Sequence, residues 1–251
     1  MKKHFFIVLF LCFGYVVKAQ TNTSVQMVTE YFQNHEFDKA AVIYQDLFDQ
    51  TGSKTYFDFL IECYIETKQF NEAEKAIKKQ IKHNPSDLSF QVLLAKTYIA
   101  EGLPQKAQQL YTKTIEKLPK DIEQIKSFGD ALEKENDYDN ALLVYKKGQS
   151  LVGDEYPFYS EIANIYLFKH DYVRMIEAYF GLLKDNSYLD VIEQKIQGIV
   201  ANDRENTAAQ IIMNSLIQEV QKRPNNIALS ELLIWLCIQE RDFQTAFIHS
   251  I

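Results

Sequence analysis

One short pattern recurs along this chain at nearly constant spacing. An aromatic residue is followed three positions later by a small or apolar residue, as in Phe37 with Ala40 and Tyr138 with Ala141. The second member of the pattern, with or without its aromatic partner, stands at Ala40, Ala73, Ala107, Ala141 and Met175, at separations of 33, 34, 34 and 34 residues, and again at Ala209 and Ala246. A period of this length indicates stacked copies of one supersecondary unit.

Each copy has the side-chain spacing of two packed helices. In the third copy Leu94, Ala95 and Tyr98 stand at positions i, i+1 and i+4, which places them on one helical stripe. Ala107 and Tyr111 share a face of the next helix in the same way. A small residue lets two helix axes approach closely, and an aromatic residue one turn later fills the space beside it. We therefore predict that these residues form the core between helices and hold no cofactor.

The third copy resembles the tetratricopeptide repeat family, whose pattern combines Leu-Ala-x-x-Tyr, an Ala, an aromatic residue four positions on and a closing Pro. The matching residues are Leu94, Ala95, Tyr98, Ala107, Tyr111 and Pro119. Other copies repeat parts of the pattern. The resemblance covers nearly all of the chain after residue 19, and we expect the exported bacterial type of the family. It implies an all-α fold, a right-handed superhelical solenoid of antiparallel helix hairpins.

The period predicts the following units: 21–53, 54–87, 88–121, 122–155, 156–189, a divergent unit at 190–226 and an incomplete one at 227–251. In the divergent unit Gly198 stands where an apolar residue is expected, and no Tyr marks the helices. Because the last unit stops soon after Ala246, we expect the sequence to be part of a longer chain. Trp235, Leu236 and Phe247 should then be partly uncovered and promote self-association.

Residues 1–19 have the composition of a secretory signal peptide. A basic start is followed by an apolar run from Phe5 to Val17, and small residues precede a cleavage site after Ala19. We expect export to the periplasm or cell envelope of a Gram-negative type cell; a retained N-terminal anchor is the alternative. Loss of this segment removes Lys2, Lys3 and Lys18 and no acid, which takes the formal charge from −7 to −10.

The negative charge argues against two classes of partner. Nucleic acids and anionic membrane surfaces need clustered Lys and Arg, and no such cluster stands out after residue 19. We expect membrane association only through a partner or an uncleaved signal. A protein or peptide ligand remains the expected partner.

No convergent set of reactive residues is evident. His35, His83, His170 and His249 fall in different repeats, where we assign them to the surface, and no metal-binding or nucleophile motif is present. We predict neither catalysis nor a metal or cofactor. Cys63 and Cys237 are predicted to be small buried groups.

The resemblance implies a concave wall built from first helices of the hairpins, and this wall is the predicted binding surface. We assign Val92 and Ile99 to the same wall. The candidate partner-binding residues are Asp58, Glu62, Glu66, Lys96, Asp130, Glu133, Asn164, Leu167 and Phe168. We expect an acidic contribution from the first three and an apolar one from the last two. Phe168 could equally pack against the next hairpin.

Asp58 and Glu62 stand where the best-understood members of the family carry Lys and Asn to clamp a terminal carboxylate, so a chaperone-tail receptor is not expected. The sequence therefore predicts an exported, non-catalytic scaffold that binds a protein or peptide on its concave surface. Two alternatives remain open: a structural component of a cell-envelope assembly, or the non-catalytic N-terminal part of a longer multidomain protein.

Overall fold

The computed structural model describes residues 24–184, 186–203 and 207–249, and this part of the chain is all-α, without a strand. The predicted signal segment and the cleavage site after Ala19 lie outside it. No helix in the described ranges is both long and apolar enough to cross a membrane. The helices are α1 (24–33), α2 (Phe37–Thr51), α3 (Lys54–Glu66), α4 (Phe70–His83), α5 (Ser89–Ala100), α6 (Pro104–Glu116), α7 (Ile122–Lys134), α8 (Tyr138–Val152), α9 (Tyr159–Phe168), α10 (Tyr172–Phe180), α11 (Leu189–Val200), α12 (Thr207–Lys222), α13 (Ile227–Gln239) and α14 (Phe243–His249).

The chain forms two compact units, divided after Glu116. Helices α1 to α6 belong to the first unit and α7 to α14 to the second. Within each unit successive helices pack against each other, most extensively α2 with α3, followed by α9 with α10, α7 with α8, and α5 with α6. The predicted all-α array of helix hairpins is confirmed.

The repeated small residues lie where helices meet. Ala40, Ala73, Ala107, Ala141 and Met175 are all buried. The aromatic residues one turn later, Tyr111 and Tyr145, are buried as well. Their burial confirms that the repeated pattern forms the interhelical core.

The turn inside six of the hairpins has one backbone geometry. A residue with left-handed backbone, φ between 54° and 86°, stands at His35, Lys68, Gly102, Asn136, His170 and Arg241. The next amide donates a hydrogen bond to the carbonyl five residues earlier, for example from Leu103 to Tyr98 at 2.8 Å and from Asp171 to Tyr166 at 2.9 Å. This is the Schellman arrangement that ends a helix. His35 and His170 therefore have a conformational role in the turn that their sequence position alone did not reveal.

The cysteines and the last hairpin test two further expectations. Cys63 and Cys237 are free, buried thiols, and burial raises the pKa of Cys63 to about 12; the prediction of small buried groups is confirmed.

Phe247 is exposed and Trp235 is partly exposed. Leu236 is fully buried, because α13 packs against both α12 and α14, so its expected exposure was wrong.

Helix α11 departs from the regular pairing. It buries only Ile192 and Ile196, and its packing against α12 is slight. Helix α12 packs instead on α10 and α13. One face of α11 is left uncovered beside the end of α9.

Candidate functional site

An open recess of about 620 Å³ lies within the second unit, between the end of α9, the start of α10 and the exposed face of α11. Its apolar lining comes from Leu167, Phe168 and Ile199, and polar groups come from α10, α11 and the segments that follow α9 and α11. The full polar lining is His170, Tyr172, Gln194, Lys195, Asn202 and Asp203, with Gly198 between them. A recess of this size can admit a few side chains of a partner.

Phe168 presents a fixed aromatic face in this recess. Its ring stacks on Tyr138, with centroids 5.3 Å apart and planes 13° apart, yet the residue remains 57% exposed. An ion pair between Lys169 and Asp139 joins the same two hairpins next to the stack. Because Tyr138 covers one face of the ring, the exposed area lies on the opposite face and the edge.

The α11 side of the recess combines open space with a cation. A Cβ atom at Gly198 would have no atom within 4 Å, so this helical position is unfilled. Lys195 stands one turn before Ile199 on the same side of α11 and makes no ion pair with any described residue. The Asp203 carboxylate accepts hydrogen bonds from the amides of Ala208 at 2.5 Å and Ala209 at 3.2 Å. This carboxylate caps the start of α12 and is already engaged.

Two other predicted site residues, Asp130 and Glu133, meet at a tyrosine. The hydroxyl of the fully buried Tyr145 lies 2.7 Å from Asp130 Oδ1 and 2.8 Å from Glu133 Oε1. Burial raises the pKa of the Glu133 carboxyl, and Asp130 and Glu161 add to the rise. Burial, together with hydrogen bonds to the two carboxylates, also raises the pKa of Tyr145. These carboxylates hold α8 against α7.

Asn164, on α9, is half-buried.

A neighbouring polar group was missed by sequence reasoning. The Tyr156 hydroxyl donates to Glu161 Oε1 at 2.7 Å, and Lys126 Nζ lies 3.6 Å from the same oxygen. Glu161 Oε2 is buried without a hydrogen-bond partner in the described part of the chain. These residues are 5 to 35 positions apart, and nothing in their spacing predicted the contact.

In the first unit, two of the three acidic residues predicted to contact a partner form ion pairs within the chain. Asp58 pairs with Lys54 at 3.3 Å, and Glu62 pairs with Lys96 at 2.9 Å, while Glu66 is exposed. Val92 is only 3% exposed, so its assignment to the wall was wrong: its side chain faces the core.

The structure brings Leu167 and Phe168 together and adds Lys195, Gly198 and Ile199 from α11. These three were missed because α11 belongs to the part of the sequence where the repeat pattern is weakest. His170, predicted to lie in a solvated turn, stands at the rim of the recess. Within residues 24–184, 186–203 and 207–249, no cluster of three or more His, Cys, Asp or Glu could hold a metal ion.

No protein-family model matches the chain. Among curated proteins it is similar to a BBSome complex member, BBS4 of Bos taurus, at 25% identity over 168 residues. That alignment covers 53% of this chain and 31% of the relative, so the chain spans about a third of the length of that protein.

Similar solved structures include proteins described as tetratricopeptide repeat proteins. The C-terminal part of one from Cytophaga hutchinsonii is 16% identical, with 89% of this chain and 92% of that chain covered and a TM-score of 0.32. A thermophilic repeat protein of Thermus thermophilus is 10% identical, with 86% and 98% covered and a TM-score of 0.31. PilF of Pseudomonas aeruginosa is 15% identical, with 85% and 90% covered and a TM-score of 0.30. The description of this chain as an array of helix hairpins rests on its own packing and turns.

Proposed function

We propose that this chain is an exported, non-catalytic scaffold of the tetratricopeptide type that holds a protein or peptide partner. The partner would contact the recess formed by Leu167, Phe168 and Ile199, which we call the Phe168 recess. The observation that carries the proposal is the Phe168 ring, which is 57% exposed although it is held in one orientation by Tyr138. Covering an exposed aromatic ring with a partner favours binding because it removes apolar area from water. A ring that is already held in place loses little conformational entropy when the partner binds.

We assign the contact to this recess because most of the other candidate residues are engaged elsewhere. Glu62 and Lys96 neutralise each other, and Asp130 and Glu133 bind the hydroxyl of Tyr145. Leu167 and Phe168 line the recess, and Phe168 stays largely exposed although its ring stacks on Tyr138. Export is supported by the sequence of residues 1–19, and a scaffold role agrees with the naming of the curated relative as a complex member.

A second function, bridging within a cell-envelope assembly, is favoured by one observation at the other end of the second unit. Phe243 and Phe247 of α14 are 64% and 67% exposed, and Ile248 beside them is exposed too. A partner joined to this edge would leave the Phe168 recess free.

The test compares capture of partners from an envelope extract by the wild-type chain and two variants, followed by quantitative mass spectrometry. Phe168→Ala should weaken the binding free energy of the captured partner by about 1 to 3 kcal/mol, with little change in the melting temperature of the chain. Phe243→Ala is the matched control, because it removes an equally exposed ring outside the recess. Unchanged capture with a lowered melting temperature in Phe168→Ala would show a packing role. Loss of capture in Phe243→Ala alone would favour the edge-bridging function.

Export has its own measurement. Intact-mass analysis of the envelope fraction should find a chain that begins at Gln20. A species that retains Met1 would show that residues 1–19 act as an anchor.

A further inference from the structure

We infer that the occupant of the Phe168 recess is an extended segment of a partner protein that places an apolar side chain on Phe168 and an acidic side chain beside Lys195. This inference rests on the proposed function and adds the chemistry of the partner. It follows from the charges that line the recess, the space at Gly198 and the fixed ring of Phe168.

The charged groups around the recess differ in whether they form ion pairs. Lys195 forms no ion pair with a described residue, whereas the lysine and arginine on the α9 and α10 side are engaged. Lys169 pairs with Asp139, and Arg174 pairs with Asp171 at 3.3 Å. The carboxylate that lines the recess, Asp203, is held by two backbone amides. The recess therefore offers an ammonium group that pairs with no described carboxylate, and an acidic side chain is its complement.

Three residues give the recess its apolar surface. Leu167 and Phe168 end α9, and Ile199 faces them from α11. The lysine at i−4 from Ile199 extends its alkyl stem along the same side of α11, so apolar surface and charge are adjacent. An occupant that carries an apolar and an acidic side chain within two or three residues of each other would satisfy both. A basic occupant would place like charge against Lys195.

The size and shape of the recess favour a single extended segment of chain over a folded surface. The recess holds about 620 Å³, which is enough for a few residues of a peptide. At Gly198 nothing stands within 4 Å of the Cβ position, so a partner backbone can approach the helix closely there. Asn202 lies beside it, and its amide donates to the Gly198 carbonyl at 2.7 Å.

The experiment selects random dodecapeptides displayed on phage against the full chain and measures selected peptides by fluorescence anisotropy. Enriched peptides should carry Asp or Glu within three positions of a large apolar residue. Replacement of that acid by its amide should weaken binding about tenfold, which corresponds to one well-placed charged contact. Lys195→Glu should weaken the same peptides by at least as much, whereas Lys120→Glu, a matched charge reversal at an exposed lysine outside the recess, should leave binding unchanged.

The outcomes separate the inference from the proposed function. Peptides that lose affinity in Phe168→Ala, yet keep it in Lys195→Glu and after acid-to-amide replacement, would overturn the acidic requirement and leave the proposed function standing. Selected peptides that bind Phe168→Ala as well as wild type would remove the recess as a binding site, and the proposed function with it. Melting temperatures of all variants, measured beside binding, show whether any loss comes from unfolding.

Discussion

Two glycines of the second unit occupy helices yet have opposite surroundings. At Gly129 of α7 an added Cβ would lie 2.3 Å from Cζ of Tyr145, so the glycine is what lets the tyrosine ring reach the helix backbone. At Gly198 of α11 an added Cβ would meet nothing within 4 Å. The first glycine permits close packing, and the second leaves part of a recess unfilled.

The two positions distinguish a part of the repeat that is tightly packed from a part that leaves a surface exposed. The hairpin of α7 and α8 is closed by a buried tyrosine with two hydrogen-bonded carboxylates, Asp130 and Glu133. Helix α11 buries two isoleucines. Lys195 and Ile199 of the same helix line the open recess. Changes at the closed hairpin should therefore alter stability, and changes at α11 should alter binding.

The largest effect is expected for Gly129→Ala. The Tyr145 ring is fully buried and its hydroxyl is fixed by two carboxylates, so it cannot move aside for a methyl group. We expect a loss of about 3 kcal/mol in the free energy of unfolding, the cost of overpacking a core. Urea denaturation measures it, with Gly198→Ala as the matched control. Equal stability in the two variants would contradict the described closeness of Tyr145.

Tyr145→Phe tests the polar closure of the same hairpin. It removes the hydroxyl that lies 2.7 Å from Asp130 and 2.8 Å from Glu133, and we expect a loss of about 1.5 kcal/mol in the free energy of unfolding. Urea denaturation of the variant beside the wild-type chain measures this loss.

The control for this variant lies 34 residues later. Tyr179 occupies the matching position of α10, and its hydroxyl is buried without a hydrogen-bond partner in the described ranges. Tyr179→Phe should be neutral or slightly stabilising, since it removes an unsatisfied polar group. A larger loss at Tyr179 than at Tyr145 would show that the assignment of these hydrogen bonds is wrong.

The success of sequence reasoning follows this division of the molecule. The core could be predicted because Ala107, Ala141 and Tyr145 recur at a fixed period set by hairpin packing. The left-handed turn at His170 could not, because only one of the six turns carries the glycine that usually marks this geometry. Phe168 was selected from its helical position, whereas Lys195 lies in a repeat whose pattern is too weak to place it.

Gly198→Ala should raise the free energy of unfolding slightly, whereas Gly129→Ala should lower it. Since the methyl group meets no atom, the change should stabilise α11 by about 0.5 to 1 kcal/mol through the higher helix propensity of alanine. If the recess is used as proposed, the same change should weaken binding of peptides that approach the helix backbone. Thermal unfolding and anisotropy measured on one preparation separate the two effects, and a destabilised variant would show that the position is not open.

The smallest effect is a pH dependence at the closed hairpin. The Glu133 carboxyl is partly buried, and its Oε1 lies 2.8 Å from the hydroxyl of the fully buried Tyr145. Its folded-state pKa is raised by burial, with Asp130 and Glu161 adding to the rise. A raised pKa contributes stability that is complete below the unfolded pKa and is lost as pH rises through the folded pKa. The melting temperature should therefore show a component that decreases as pH increases above the usual range for glutamate. Glu133→Gln should remove this component, and Glu123→Gln, an exposed acid on the same helix, should retain it. A component of opposite slope, or one that persists in Glu133→Gln, would show that Glu133 is not the group responsible.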